Sequence, residues 1–160
     1  MNTDYLTGVY NRKKLESYMK EKISTSTDNK TFSAILLDLN NFKTINDTFG
    51  HDMGDYALET SVKLLKSCLR SIDFIARFGG DEFYIILDVS NSDDLEATVC
   101  RFNGCIEKYN ERGAMPFKLG FSMGYAVYDY QSCMKVEEFQ KQIDILMYEN
   151  KRANKEIENK

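Results

Sequence analysis

Residues 74–87 read Phe74-Ile75-Ala76-Arg77-Phe78-Gly79-Gly80-Asp81-Glu82-Phe83-Tyr84-Ile85-Ile86-Leu87. Two short runs rich in aromatic and β-branched residues, 74–78 and 83–87, flank two glycines and two carboxylates. Such side chains favour a pleated, half-buried surface, and glycines between two such runs mark the bend of a hairpin. A lone hairpin is marginal in water, so neighbouring segments must complete a sheet. Upstream, after a polar break over 25–31, the apolar run 32–39 has strand length and ends in Asp38-Leu39-Asn40. Downstream, 117–128 reads as one or two strands, with Gly120 and Gly124 as kinks.

Helical periodicity fills the gaps. Leu15, Met19 and Ile23 share one face of a helix expected from Asn11 to about Ser24. After the turn-rich NDTFGHDMGD of residues 46–55, Leu58, Val62, Leu65, Leu69 and Ile72 recur at alternating steps of four and three. A further helix is expected over 92–112, and a last one from Val136 to the chain end, carrying Phe139, Ile143, Leu146 and Met147. The order helix–β–α–β–β–α–β–α predicts an α/β (α+β) sandwich of the ferredoxin-like kind, with helices packed on a sheet.

Length and charge narrow the function. At 160 residues the chain is expected to be one domain, 1–160. A net charge of -4 argues against a nucleic-acid polymer as partner, since that needs a basic face, but leaves room for a locally basic nucleotide site. No apolar run approaches the roughly 20 residues that span a bilayer, and the start lacks a secretory core. A cytoplasmic domain without membrane contact of its own is the expectation. Cys68, Cys100, Cys105 and Cys133 form no C-x-x-C pair and His51 is the single histidine, so zinc is not expected and the thiols are expected to be reduced.

Acidic residues suggest the chemistry. Asp38 closes an apolar strand, where a carboxylate is costly unless it points outward or is paired. Carboxylates at strand ends hold Mg²⁺ well, because that ion takes one or two of them together with phosphate oxygens. Taken alone, Asp38 reads equally as a solvated turn residue and Asp81-Glu82 as an acidic turn. Together they form a candidate metal pair if the hairpin lies beside the Asp38 strand. Asn46 and Asp55 suit a guanine edge, although both residue types also cap helices. Lys43, near the start of a short helix, suits phosphate. His51 reads as structural.

Arg77-Phe78-Gly79-Gly80-Asp81-Glu82-Phe83 resembles the signature of the GGDEF family of diguanylate cyclases. Asp4-Tyr5-Leu6-Thr7-Gly8 with Asn11-Arg12 resembles its opening D-x-L-T-G-x-x-N-R. Asp38 to Lys43, Asn46-Asp47, Gly50-His51 and Gly54-Asp55 resemble its D-x-D-x-F-K-x-x-N-D-x-x-G-H-x-x-G-D segment. Ser122-Met123-Gly124 resembles its S-x-G strand, and Asp144, Tyr148 and Lys151 its last helix. The resemblance covers nearly the whole chain in order.

It implies a palm-type antiparallel sheet, as in nucleotidyl cyclases, surrounded by helices. It also implies condensation of two GTP into cyclic di-GMP, with Mg²⁺ or Mn²⁺, by two copies meeting face to face. Asp38, Asp81 and the Leu39 carbonyl are then the metal ligands, and Glu82 is a further ligand or an aid to deprotonating the 3′-hydroxyl. Asn46 and Asp55 select guanine. The 41–43 backbone, Phe42, Lys43, Lys151 and Lys155 hold the phosphates, and Arg77 assists. Arg70-Ser71-Ile72-Asp73 resembles the family's R-x-x-D product-binding inhibitory site, though a helix-end arginine and a turn aspartate look the same locally.

Three departures stand out: the last helix, Ile143 to Lys151, is bulkier than the family's usual alanine-rich version, and two others lie at single sites. Asn40 replaces the commoner second aspartate, and Asn154-Lys155-Glu156 stands where the family often has G-R-N. Lys155 is a point charge where arginine would be a fork, which bears on triphosphate affinity. The leading reading is an active cyclase from a longer bacterial sensor protein. A regulator that binds GTP or cyclic di-GMP without turnover is the alternative. Asp55 argues against a mixed adenine–guanine product.

Overall fold

The computed structural model describes residues 2–158. The elements are α1 Arg12–Thr25, β1 Ser33–Leu39, α2 Phe42–Phe49, α3 His51–Ser67, β2 Phe74–Arg77, β3 Glu82–Leu87, α4 Ser92–Glu111, β4 Phe121–Val127 and α5 Val136–Glu158. A 3₁₀ turn, Tyr130–Ser132, leads into α5. The strands form one sheet in the order β2-β3-β1-β4 with every pairing antiparallel. This is the expected ferredoxin-like arrangement with helices on both faces.

Period two along the strands sorts the core into two layers. Ile35, Leu37, Phe83 and Ile85 pack with Leu58, Val62 and Leu65 of α3 and Leu95, Val99 and Phe102 of α4. Ala34, Leu36, Tyr84 and Ile86 face Leu15 and Met19 of α1 and Phe139, Ile143 and Met147 of α5. Every β1 residue is buried, which is why its sequence is a continuous apolar run rather than an alternating one. Asparagines start two of the helices: Asn11 accepts from Lys14 N and Asn91 from Asp94 N, filling donors the first turn leaves free.

Four expectations are corrected. NDTFGHDMGD is not a turn: it forms the end of α2 and the start of α3, and only Gly50, at φ 91°, breaks the helix. That conformation is in the left-handed region, where glycine carries no Cβ penalty. The step pattern also overruns α3, which stops at Ser67; exposed Ile72 lies in a turn held by Asp73 N donating to Arg70 O at 3.0 Å. The expected strand start at Phe117 gives way to a ring contact with Phe49, and β4 begins at Phe121. The thiols are not all free: α3 and α4 lie side by side, and Cys68 is paired with Cys105, while Cys100 and Cys133 are free and exposed. The last helix agrees with its expectation through Glu158; the final two residues of that expectation lie outside the described residues.

Gly124 is a contact point rather than a kink. A Cβ there would stand 2.3 Å from Ile143 O and 2.5 Å from Met147 N, so α5 rests directly on the β4 backbone. Gly124→Ala should therefore force α5 outward and lower unfolding stability by about 1–3 kcal/mol, the usual scale of overpacking. Urea unfolding checks this, and an unchanged midpoint would mean that the helix has slack at that point.

Candidate active site at the strand ends

Sheet register assembles the site. Asp38 lies opposite Glu82 on one side and Ser122 on the other, all on the face that α5 covers. Leu39 N donates to Asp81 O at 3.0 Å, which ties the hairpin tip to the end of β1. Asp38 and Asp81, 43 residues apart in sequence, become neighbours.

The hairpin itself is braced by Arg77. Its Nη2 donates to Gly80 O at 2.6 Å, its Nε to Gly79 O at 3.2 Å, and its Nη1 to Asp4 Oδ1 at 3.3 Å. Asp4 in turn accepts from Thr7 N and Thr7 Oγ1, so the D-x-L-T-G opening is a turn that holds the arginine. Burial works to raise the Asp4 pKa, but the Thr7 hydrogen bonds and the Arg77 charge outweigh it and hold the carboxyl below its usual value. Expected as a phosphate contact, Arg77 instead braces this bend and does not line the groove.

Asp38 is the most constrained group of the site. It is 3% exposed, Oδ2 is ion-paired with Lys151 of α5, and Oδ1 is buried without a hydrogen-bond partner. An orphaned carboxylate oxygen in such a place suits a cation. Asp81, half-buried beside it, is pushed up to about 6 by burial and then by the charge of Asp38. Glu82 is also raised, by burial and then by Asp38 and Asp144. Burial works against the Lys151 charge, but the hydrogen bond and charge of Asp38 outweigh it and raise the lysine pKa. Among the described residues no three His, Cys, Asp or Glu side chains converge on one point. The protein thus offers a carboxylate pair, Asp38 and Asp81, with Glu82 beside it, which fits a small divalent ion that takes its remaining ligands from phosphate and water.

A groove of about 560 Å³ opens above this pair. Its walls include Phe42, Lys43 and Thr44 of α2 and Tyr148, Lys151, Arg152 and Lys155 of α5. Asn41, at φ 61°, turns the chain so that α2 begins at the groove, and no side chain caps its first amides. Unpaired N–H groups at a helix start together with lysines make an anion site. Asn46 and Asp55 lie outside this wall, on α2 and α3. A Cβ on Gly54 would fall 1.8 Å from Asn46 Oδ1, so glycine there lets the Asn46 amide lie against the first turn of α3, one residue before Asp55 in the chain.

Arg70 and Asp73 border a separate groove of about 410 Å³, together with Arg101 of α4. Asp73 accepts from Arg70 N at 2.8 Å, and the Arg70 side chain stays largely exposed. Sequence reading missed Arg152 and Asn154 of the main groove. The run Lys151-Arg152-x-x-Lys155 on an acidic chain was the available signal for the first, and the departure from the family's G-R-N at Asn154-Lys155-Glu156 was the signal for the second.

The family model for the diguanylate cyclase GGDEF domain matches residues 1–156, and the chain belongs to that family. The probable diguanylate cyclase DgcC of Escherichia coli (strain K12) is 31% identical over 153 residues, covering 95% of this chain and 41% of that protein. Diguanylate cyclase A of Treponema denticola is 33% identical over 134 residues, covering 80% of this chain and 34% of that protein. The chain thus spans less than half the length of these relatives. A microbial GGDEF domain solved with cyclic di-GMP superposes with a TM-score of 0.78 at 29% identity, covering 94% of this chain and 90% of that one. The diguanylate cyclase SiaD of Pseudomonas aeruginosa, solved with its activator SiaC, gives 0.82 at 26% identity, covering 94% and 58%.

The raised Asp81 pKa has a signed consequence. Its folded value of about 6 exceeds the ordinary 3.8, so the folded chain binds this proton more tightly than the unfolded one. The contribution favours folding at about pH 4 and below and is lost as pH rises toward about 6. In metal-free buffer Asp81→Asn is expected to flatten stability across that window. Urea unfolding of both proteins at steps between those values is the check, and parallel profiles would contradict it.

Proposed function

We propose that the domain is one half of a diguanylate cyclase, binding one GTP in the groove and acting as a two-fold pair with a second copy. The observation that carries this reading is the buried Asp38 carboxylate, one oxygen unpartnered, at the floor of a groove ringed by Lys43, Lys151, Arg152, Lys155 and the start of α2. Membership of the GGDEF family and relatives named as diguanylate cyclases support it.

In this reading the Asp55 carboxylate accepts from guanine N1–H and N2–H₂, and the Asn46 amide meets the other ring-edge groups. The first amides of α2, with Lys43, Lys151 and Lys155, hold the β- and γ-phosphates. Asp38, Asp81 and the Leu39 carbonyl hold Mg²⁺ or Mn²⁺. The bound ion supplies charge neutralisation of the triphosphate and acidification of the attacking hydroxyl. The 3′-oxygen of one GTP bonds to the α-phosphorus of the other, the bond to pyrophosphate breaks, and the 3′-proton passes to a carboxylate. Burial and then the charge of Asp38 raise the pKa of both Asp81 and Glu82, which makes each a stronger proton acceptor than a free carboxylate. Repeated in the other direction, the step closes cyclic di-GMP. GTP as substrate places the domain on the cytoplasmic side; among the described residues no helix is long and apolar enough to cross a membrane. The Arg70–Asp73 groove is the proposed product site, where a guanidinium suits phosphate or a guanine edge.

Concentrated protein given GTP and Mg²⁺ should form cyclic di-GMP, and Asp81→Ala should lower the rate at least about a hundredfold, the scale of losing transition-state charge stabilisation. GTP binding without turnover, with copies forced together by a fused dimerising helix, would favour the regulator instead. Arg70→Ala should keep turnover and weaken inhibition by added cyclic di-GMP; inhibition at the parent concentration would remove the product site from the reading.

A further inference from the structure

Two residues that depart from the family pattern, Asn40 and Asn154, meet at one hydroxyl. Asn154 Nδ2 donates to Ser122 Oγ at 3.3 Å, and Ser122 Oγ donates to Asn40 Oδ1 at 2.7 Å. Ser122 is 1% exposed, and Asn40 N is fixed by Gly120 O at 2.8 Å. We propose that Asn40, Ser122 and Asn154 form a positioning relay that sets the spacing between the two phosphate-gripping walls of the groove, the start of α2 and the basic end of α5.

The placement of the three residues supports this. Asn40 directly precedes Asn41, whose left-handed turn starts α2 at the groove. Asn154 sits between Lys151 and Lys155 on α5, and all three line the groove. The last buried apolar residue of α5 among those described is Met147. Beyond it, the helix is held to the sheet by polar contacts: Asn150 Oδ1 accepting from Met123 N, Lys151 on Asp38, and Asn154 on Ser122. Lys151 cannot be a permanent anchor if Asp38 is also to serve a cation, which leaves the asparagines as the tethers independent of ligand. An aspartate at position 40 could accept from Ser122 but would add negative charge to a wall that meets phosphate, whereas asparagine accepts the same bond without charge. Glycine at 154 could make no such bond.

The inference rests on the groove gripping a triphosphate, and the test separates the two. Binding of a GTP analogue with an α,β-methylene bridge, in Mg²⁺, is compared with binding of GMP by calorimetry. The parent should prefer the analogue; equal affinity for the two would overturn the triphosphate reading and the relay with it. Asn154→Ala, which removes the amide but favours helix, should weaken the analogue about three- to tenfold, the scale of one hydrogen bond, and change GMP affinity less than about twofold. Asn40→Ala should do the same, and the double variant should lose no more than either single one, because both act through one chain. Equal losses for GMP, no loss, or fully additive losses would each overturn the relay while leaving the triphosphate reading in place.

Discussion

Asp38 is the one acidic or basic residue among the described residues that is buried as a whole, and it lies next to the end of a strand enclosed on both faces. Removing a carboxylate from water costs several kcal/mol unless charge and hydrogen bonds compensate. Here the compensation is partial, since Lys151 meets one oxygen and the other has no partner. Everything around this group is arranged by that incomplete pairing. The hairpin is tied to Leu39 so that a second carboxylate stands beside the first, and the last helix crosses the same face so that its lysine reaches the pair.

The two layers of helices have different tasks. Helices α3 and α4 complete an apolar core on one face of the sheet, while α1 and α5 cover the other face, where the ionisable groups emerge at its end. The contact of α5 with Gly124 sets how closely that helix approaches, and therefore where Lys151 arrives. A core feature, the missing Cβ of one glycine against Ile143 and Met147, thus bears on the electrostatics of the groove about one to two turns further along the same helix.

Much of the site was legible because its chemistry is concentrated in short motifs. The hairpin, the Asp38 strand and the Asn46–Asp55 segment each name residue types that suit metal, phosphate or guanine. Other parts were misread for physical reasons. Arg77 looks like a free cation in sequence, yet the carbonyls of a glycine bend need donors and the Asp4 turn lies within its reach. NDTFGHDMGD has the composition of a turn, yet tertiary packing of Ile45 and Ala57 keeps it helical on both sides of Gly50. The pairing of Cys68 with Cys105 depends on two helices lying together, which no local spacing announces.

The sequence by itself determined the alternation of elements, the buried central strand and the family, because hydrophobic periodicity and motif spacing are local properties that survive without a fold. It also named Asp38 and Asp81 as a pair, but only as a conditional one. Tertiary structure decided the rest: that Asp38 keeps an unpartnered oxygen, that Lys151 rather than another cation reaches it, and that Asn40 and Asn154 share the hydroxyl of Ser122. Those facts come from sheet register and from the approach of α5 to β4. Both are set by packing between residues far apart in the chain, where a shift of one position moves a side chain to the other face.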